Sequence, residues 1–395
     1  MAAFRLVAPA GAPLPLRAIL GAALRASGGP GQLMEKLRAR LEVRHCFLVS
    51  SGRVAVTVFL KALQRVSGRR EVVVPAYTCF SVPAAVARAG LVIRLCDIDP
   101  KTLDLDQRSL LQLDPSKVLC IIATGLYGVP GNLAALEAIA RDWGVFLLDD
   151  AAQCLGARVG GRSCGRFGDG GIFSLGRGKV LATVGGGIMV TDNDELGGLL
   201  HEGVSRLPRP PAGAASAAIM ASLVYAGMIH PRRYWLPARL PFLGLGTSRF
   251  DPHFRMTRLS AYQARLAEQQ LPSLESHNRI RRKHAEQLRT AINGVEGIEV
   301  PRPAVGADPV YIRFPILTRD RNHRSHLSRR LHKSGIGAST SYPSSIEEIA
   351  GIKRYLADDQ AACPAARSLA SRILTLPTHS HVTSTDIEQI ASIVR

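Results

Sequence analysis

Cysteine is scarce and never paired. The 395-residue chain has seven, Cys46, Cys79, Cys96, Cys120, Cys154, Cys164 and Cys363. No CxxC occurs, so the common zinc-site spacings are missing, and an odd, scattered set is no disulfide framework. Cys96 and Cys120 fall inside apolar strand-like runs. A reducing, cytoplasmic setting is the expectation. Acidic residues are also in short supply. Against 50 Lys and Arg there are 31 Asp and Glu, a formal net charge of +19. That balance favours anionic partners: nucleic acid, an anionic membrane surface or phosphorylated small molecules. Charge alone does not choose among them. A clean secretory leader is lacking too. The opening MAAFRLVAPAGAPLPLRAILGAALRASGG is mildly apolar, but Arg17 breaks its apolar run. No stretch reads as a long disordered tail.

With 46% hydrophobic and 21% charged residues, the chain can build one large core and a second, smaller domain. From Arg44 to Thr191 strand-like runs alternate with helical patterns. The strand candidates are EVVVP (71–75), LVIRLCDID (91–99), VLCIIATG (118–125), VFLLDD (145–150), GGIFSL (170–175) and GGIMVT (186–191). Helical patterns cover Arg53–Arg65, Val82–Ala89 and Asn132–Trp143. Unbroken apolar strands between helices predict an α/β layered fold with a mostly parallel sheet. Ligands of such sheets sit at the carboxyl ends of the strands, so the residues just after each strand are the ones to search.

Residues 1–206 are expected to form this large domain. Residues 207–250 read as a linker, RLPRPPAG, and an apolar and basic excursion. Its apolar part, Ala214–Ile229, is short and rich in Ala and Ser for a membrane span. Arg232, Arg233, Tyr234, Trp235 and Arg239 follow it. Two readings stand: a helix packed on the protein or a partner subunit, or peripheral membrane contact through 214–245. Residues 251–395 read as a smaller α+β domain. There a long helix is predicted over Leu259–Ile292, then YIRFPIL (311–317) as a strand. A helix over 323–335, SRILTLP (371–377) and a last helix from about Ser384 complete it.

One lysine, Lys179 in FSLGRGKVLATVGGG (173–187), stands in a glycine-rich setting after an apolar run. It could hold a phosphate as a cation or bind a carbonyl cofactor as a Schiff base. A Walker loop needs Gly six residues before the lysine and Ser or Thr after it; here stand Phe173 and Val180. A GxGxxG beginning at Gly176 ends on Leu181. The Schiff-base alternative needs an acid near the cofactor and donors for a phosphate. VFLLDDAAQ ends a strand with Asp149–Asp150, and a carboxylate there can pair with a protonated pyridine nitrogen. Ser174, five residues before Lys179, can donate to a phosphate. The turn SSGR (50–53), with Ser51, Gly52 and Arg53, can present backbone N–H groups at a helix start. Each piece has an ordinary structural use as well: Asp150 and the SSG turn as helix caps, Ser174 as a partner for local backbone.

Taken in order, these motifs resemble the DegT/DnrJ/EryC1/StrS family of pyridoxal-phosphate-dependent sugar aminotransferases of fold type I. The resemblance runs from about Gln32 to the C-terminus. It rests on SSGRVAV (50–56), VVVPAYTC (72–79), LYGVPGNL (126–133), GGGIMVTD (185–192), RMTRLSAYQA (255–264) and LPTHSHVT (376–383). DDAAQ followed by FGDxxxFSx4K is its most specific part. It implies a three-layer, aspartate-aminotransferase-like large domain, pyridoxal 5'-phosphate as cofactor, no metal, and a homodimer with a shared active site. It also implies an amino-acid donor, glutamate or glutamine, and a keto-sugar acceptor, nucleotide-linked, with no nucleic-acid partner.

Carried over by residue, Lys179 would hold the cofactor as a Schiff base and then shuttle protons. Asp150 would pair with the pyridine nitrogen, and Gln153 would lie near the phenolic oxygen. Ser174, with the backbone of Gly52 and Arg53, would hold the phosphate. The ring-stacking aromatic of the family falls on Cys79 here, with Phe80 or Tyr77 as substitutes. Other departures are Arg53 for a threonine, Gly125 for a histidine before LYG, and Ser341 for a histidine before YP. His253 stands for an asparagine that reaches the neighbouring subunit's phosphate. Arg177 could bind cofactor phosphate, a substrate anion, or neither. Family dehydratases carry histidine at the lysine position, so Lys179 argues against that reaction. The remaining alternative is a non-catalytic binding or regulatory protein.

Overall fold

The computed structural model describes residues 5–25, 28–240 and 248–395. Its central sheet has seven strands: β1 His45–Val49, β2 Glu71–Pro75, β3 Val92–Cys96, β4 Val118–Thr124, β5 Phe146–Asp150, β6 Gly170–Ser174 and β7 Gly187–Thr191. Across the sheet they lie in the order β1-β7-β6-β5-β4-β2-β3. Neighbours from β6 through β3 are parallel. β7 runs antiparallel to both β6 and β1. Six of these strands stand where the apolar runs predict them. β1, HCFLV, is not among the sequence expectations. A five-residue apolar run carries no periodicity that separates a strand from a helix turn.

Helices cover both faces, which is why these strands need no polar alternation. β4 is buried at every position. Successive side chains of β2 take opposite faces. Val72 and Val74 join one layer with Phe59 of helix α3 and Ala85 of α4, while Val73 joins Leu37 of α2 and Leu136 of α5 on the other. The helices meant are α1 Leu16–Leu24, α2 Pro30–Leu41, α3 Gly52–Leu63, α4 Ser81–Ala89, α5 Leu133–Trp143 and α6 Asp194–Ser205. The result is the three-layer fold type I architecture.

Next come α7 Ala214–Met228 and α8 Pro231–Ala238, whose axes bend by 116°. No single described helix is long and apolar enough to cross a membrane. Residues 241–247 of the expected 207–250 excursion lie outside the described residues. The single helix predicted over 259–292 is two: α9 Ala261–Gln270 and α10 Leu274–Ile292, joined by a tight turn over Leu271–Ser273. Pro272 explains the break, because its nitrogen has no hydrogen to continue the ladder.

The C-terminal part carries an antiparallel sheet of β8 Ile298–Glu299, β9 Phe314–Thr318 and β10 Ile373–Leu376. Against it pack α10, α11 Arg321–Lys333 and α13 Ser384–Val394 through Leu288, Leu331 and Ile390. Between β9 and β10 the chain also forms α12 Pro364–Arg372. Val7 joins this same core, its N–H donating to Gly335 O at 2.8 Å. The N-terminal segment therefore returns to the C-terminal part of the chain.

Candidate active site

The carboxyl ends of the parallel strands converge on one cavity of about 200 Å³. This is where a parallel sheet presents its loops to a ligand. Ser51, Gly52 and Arg53 reach it from the end of β1, Cys79 from beyond β2, Thr124 from β4, Asp150 and Gln153 from β5, and Ser174 and Lys179 from β6. Residues up to 128 positions apart in sequence thus share one wall because their strands share one sheet edge. A second cavity, about 280 Å³, is larger and lies near Asp169 and Asp192. Its arginines are already spent: Arg162 pairs with Glu137 at 3.0 Å and Arg166 with Asp192 at 3.6 Å. Its lining holds no lysine, histidine or cysteine.

Two neighbouring carboxylates have opposite fates. Strand alternation turns Asp149 away from the cavity, where Gly165 N–H donates to its Oδ2 at 2.5 Å. Asp150 faces the cavity and accepts from Ala152 N–H at 3.1 Å. Burial pushes the Asp150 carboxyl up to about 6, with that N–H and Lys179 pulling the other way. Burial likewise pushes Asp149 up to about 7. Lys179 is depressed below the usual lysine range, chiefly by burial. Cys79 and Asp150 beside it act in the opposite sense. Buried amine and carboxylate so placed suit proton transfer near neutral pH.

One end of the cavity is built from the start of α3. Ser51 caps this helix, its Oγ accepting from Val54 N–H at 3.3 Å. The N–H groups of Gly52 and Arg53 belong to the first turn and have no intrahelical acceptor. A Cβ on Gly52 would stand 3.2 Å from the Cβ of Ser174, so any larger residue there would push the two loops apart by a few tenths of an ångström. Ser174 Oγ accepts from Gly176 N–H at 3.3 Å, which leaves its O–H to donate. Helix N-terminus, free N–H groups and a free hydroxyl make an anion cradle.

Sequence reasoning did not find Thr124, although it ends a strand in the searched position. Its Oγ1 is buried with no hydrogen-bond partner among the described residues. Also missed was Tyr342, whose OH receives a hydrogen bond from Gln153 Nε2 at 3.3 Å; the Tyr-Pro pair after Ser341 was the available signal. Gln153 Oε1 accepts from Tyr127 N–H at 3.1 Å, which fixes the amide between two tyrosines. Phe80 does not line the cavity. It is buried against Tyr342, with ring centroids 6.2 Å apart. Tyr77 is buried beneath it, its OH 3.1 Å from that of Tyr127. Arg53 lays its guanidinium 4.6 Å from the centre of the Phe254 ring. His253, next to Phe254, is exposed and outside the cavity lining. Arg177 is exposed as well and does not line the cavity.

The glycine at 125 has a local cause. A Cβ there would stand 2.3 Å from Cys154 Sγ, so Cys154 occupies the space a side chain at 125 would need. Ser341 is also accommodated: its Oγ lies 2.8 Å from Ser339 Oγ, which accepts from Arg313 Nη1 at 3.3 Å.

A lysine amine, an acid beneath it and an anion cradle at a helix start, all at the carboxyl edge of this sheet, define a pyridoxal-phosphate enzyme of fold type I. The sequence profile of the DegT/DnrJ/EryC1/StrS aminotransferase family matches residues 29–395, and the chain belongs to that family. It is a pyridoxal-phosphate-dependent aminotransferase. Among its relatives is a UDP-N-acetyl-3-dehydro-alpha-D-glucosamine 3-aminotransferase of Acidithiobacillus ferrooxidans, 27% identical over 93% of this chain and 88% of the relative. The dTDP-3-amino-3,4,6-trideoxy-alpha-D-glucose transaminase of Streptomyces venezuelae is 27% identical over 90% of this chain and 84% of the relative. In fold, the chain is similar to Helicobacter pylori PseC, an aminotransferase involved in the biosynthesis of pseudoaminic acid. The TM-score is 0.80 at 16% identity, covering 99% of this chain and 98% of the other.

The residues present fit the cofactor. The Gly52–Ser174 cradle would take a phosphate, the Asp150 carboxylate would take a ring N–H, and the orphaned Thr124 hydroxyl faces the same cavity.

Proposed function

We propose that this enzyme moves an amino group from an amino-acid donor, glutamate or glutamine, to a keto sugar carried on a nucleotide diphosphate. The observation that carries the reading is the convergence of Lys179, Asp150, Gln153 and the Gly52–Ser174 cradle on one cavity. The sugar half rests on the relatives, whose names specify UDP- and dTDP-linked sugars. A net charge of +19 suits a doubly anionic diphosphate. The working unit is a cytoplasmic homodimer in which His253 approaches the neighbouring site.

Pyridoxal phosphate supplies an aldehyde that condenses with amines and a ring that accepts the electrons of a deprotonated carbon. The chain does the rest. Gly52 and Arg53 N–H groups and the Ser174 hydroxyl bind the phosphate and set the ring's position. Asp150, ionised, holds a proton on the ring nitrogen. Gln153, fixed by Tyr127 and Tyr342, would meet the cofactor's phenolic oxygen with its amide. Lys179 Nζ would hold the cofactor through its aldehyde and, as a free amine, would carry a proton to and from the donor carbon. Its depressed basicity favours the neutral amine that this requires. The same nitrogen reverses the step on the acceptor sugar.

The test is a pair of half-reactions. Purified protein should be yellow, and borohydride should fix the colour covalently in the native chain but not in Lys179→Ala. Glutamate or glutamine should bleach the aldehyde absorbance, and a UDP- or dTDP-linked keto sugar should restore it. Protein that takes up no cofactor would sink the site assignment. Restoration by 2-keto acids but by no keto sugar would sink the acceptor assignment alone.

A further inference from the structure

Two segments flank the catalytic domain and differ from everything else in the chain. Residues 1–34 and 203–250 together hold nine arginines, no lysine and not one Asp or Glu. Their helices pack together. Ala18, Ile19 and Ala22 of α1 share a small apolar cluster with Ile219 and Leu223 of α7, over Tyr262 and Leu266 of α9. The family profile starts at residue 29, so α1 lies outside it.

Much of what these helices leave uncovered is apolar. Leu16, Leu20 and Leu24 are 56%, 47% and 82% exposed, and Met220 and Val224 are each 59% exposed. Spacing of four residues puts each set in one stripe. At about 100° per residue, both stripes lie opposite the side of their helix that packs on α9. α7 contains no charged residue in its 15 positions, and the described chain fully buries just Ser222 among them. A helix apolar all round demands cover. Beside it, on α8, Leu236 is exposed, while Arg232, Arg233 and Arg239 are exposed with no carboxylate partner among the described residues.

We propose that the α1–α7–α8 face docks on an anionic lipid surface. The leucine, methionine and valine stripes enter the headgroup boundary, and the arginines meet lipid phosphates. The 116° bend between α7 and α8, together with the absence of any single described spanning helix, makes this a face that lies on the membrane. A second copy of the chain is the poorer occupant. A two-fold axis through this face would set the acid-free, arginine-rich patch against itself, like charge against like. Lipid phosphate supplies the missing negative charge.

The experiment is vesicle flotation of the full-length holoenzyme. Vesicles of phosphatidylglycerol and phosphatidylethanolamine are compared with phosphatidylcholine alone, at low and high salt. The expected result is flotation with the anionic vesicles at low salt, weakened by high salt as exposed charges are screened, and none with phosphatidylcholine. Arg232→Glu/Arg233→Glu should lower the partition coefficient at least about tenfold. Met220→Asp/Val224→Asp should abolish flotation, with thermal stability and cofactor absorbance unchanged. Leu16→Asp/Leu24→Asp repeats that test on α1 should the first pair fail to fold. The proposal is overturned if the native enzyme stays with the soluble fraction at low salt, or if these variants float as well as it does. It is equally overturned if Met220→Asp/Val224→Asp turns a dimer into a monomer by light scattering while the native dimer binds no vesicle.

Discussion

At the scale of single residues, Asp150 ties stability to pH. Its carboxyl sits at about 6 in the fold, against 3.8 for an unperturbed side chain. The folded chain therefore keeps a proton that the unfolded chain has already released. Stability from this group is fully present below about pH 4 and is lost as pH rises through about 6, on the order of 3 kcal/mol in all. Apoenzyme should lose stability over that window in urea titrations, and Asp150→Asn should flatten the loss. Asp149, pushed up to about 7, extends the decline upward in both proteins. Cofactor affinity should run the opposite way, rising from pH 5 to 7, because only the ionised Asp150 can hold the ring proton. A pH-independent affinity that Asp150→Asn leaves unchanged would remove Asp150 from the site.

The residue scale also shows what sequence could reveal. Lys179, Asp150, Ser174 and Gln153 were legible because each ends or follows a strand whose apolar run is unmistakable, whereas Gly52 was legible from the SSGR turn alone. The family resemblance singled out Asp150 over Asp149, and the alternation of β5 supplies the physical reason: Asp150 faces the cavity and Asp149 does not. Gly125 is understood only with Cys154, 29 residues later, against it. That pair can be tested. Gly125→His alone should cost about 1–3 kcal/mol through overpacking against Cys154 Sγ. Gly125→His with Cys154→Ala should recover part of it. If the second substitution restores nothing in thermal denaturation, Cys154 is not what keeps position 125 small.

At the scale of elements, the N-terminal segment acts as a strap. Arg5 pairs with Asp386 at 2.7 Å, and Ala8 O accepts from buried His379 Nε2 at 2.8 Å. Gly11 O accepts from Arg281 Nη2 at 2.9 Å, and Ala12 N–H donates to Tyr225 OH at 3.0 Å. Arg281 is buried, and its Nε and Nη1 have no partner, so Gly11 O supplies the one protein acceptor found for its guanidinium among the described residues. No sequence pattern announces this, since Ala8, Gly11 and Ala12 act through backbone groups. Deleting residues 1–12 should destabilise the protein by at least about 3 kcal/mol, by stripping a buried charge of its acceptor. The sign at acid pH is also set. Burial holds His379 down to about 3, so stability is lost as pH falls below the ordinary 6.5. The truncated chain, with His379 opened to water, should lose much of that acid sensitivity. An unchanged pH profile would mean that the strap does not cover His379.

At the scale of the whole molecule, three tyrosines join the large sheet to the C-terminal segment across the site. Tyr77 OH donates to Tyr342 O at 3.2 Å and receives the Tyr342 N–H, and Tyr127 OH donates to Ser341 O at 2.5 Å. Tyr77 and Tyr342 are 265 positions apart in sequence, which is why no local pattern announced the contact. All three rings are buried, and burial raises each phenol, Tyr77 to about 12, so they remain neutral hydroxyls at working pH. A neutral hydroxyl network of this kind stabilises by satisfying backbone groups that have no water to turn to. Tyr77→Phe strands the Tyr342 N–H, and Tyr127→Phe strands Ser341 O. Each should cost about 1–3 kcal/mol in urea denaturation of the holoenzyme. Because the two hydroxyls also touch each other at 3.1 Å, the double variant should cost less than the sum of the singles, by about 0.5 kcal/mol or more. Gln153 hangs from the same network through Tyr342 OH and Tyr127 N–H, so the singles should also weaken cofactor binding. Additive costs with undisturbed cofactor affinity would mean that the clamp is structural packing and no part of the site.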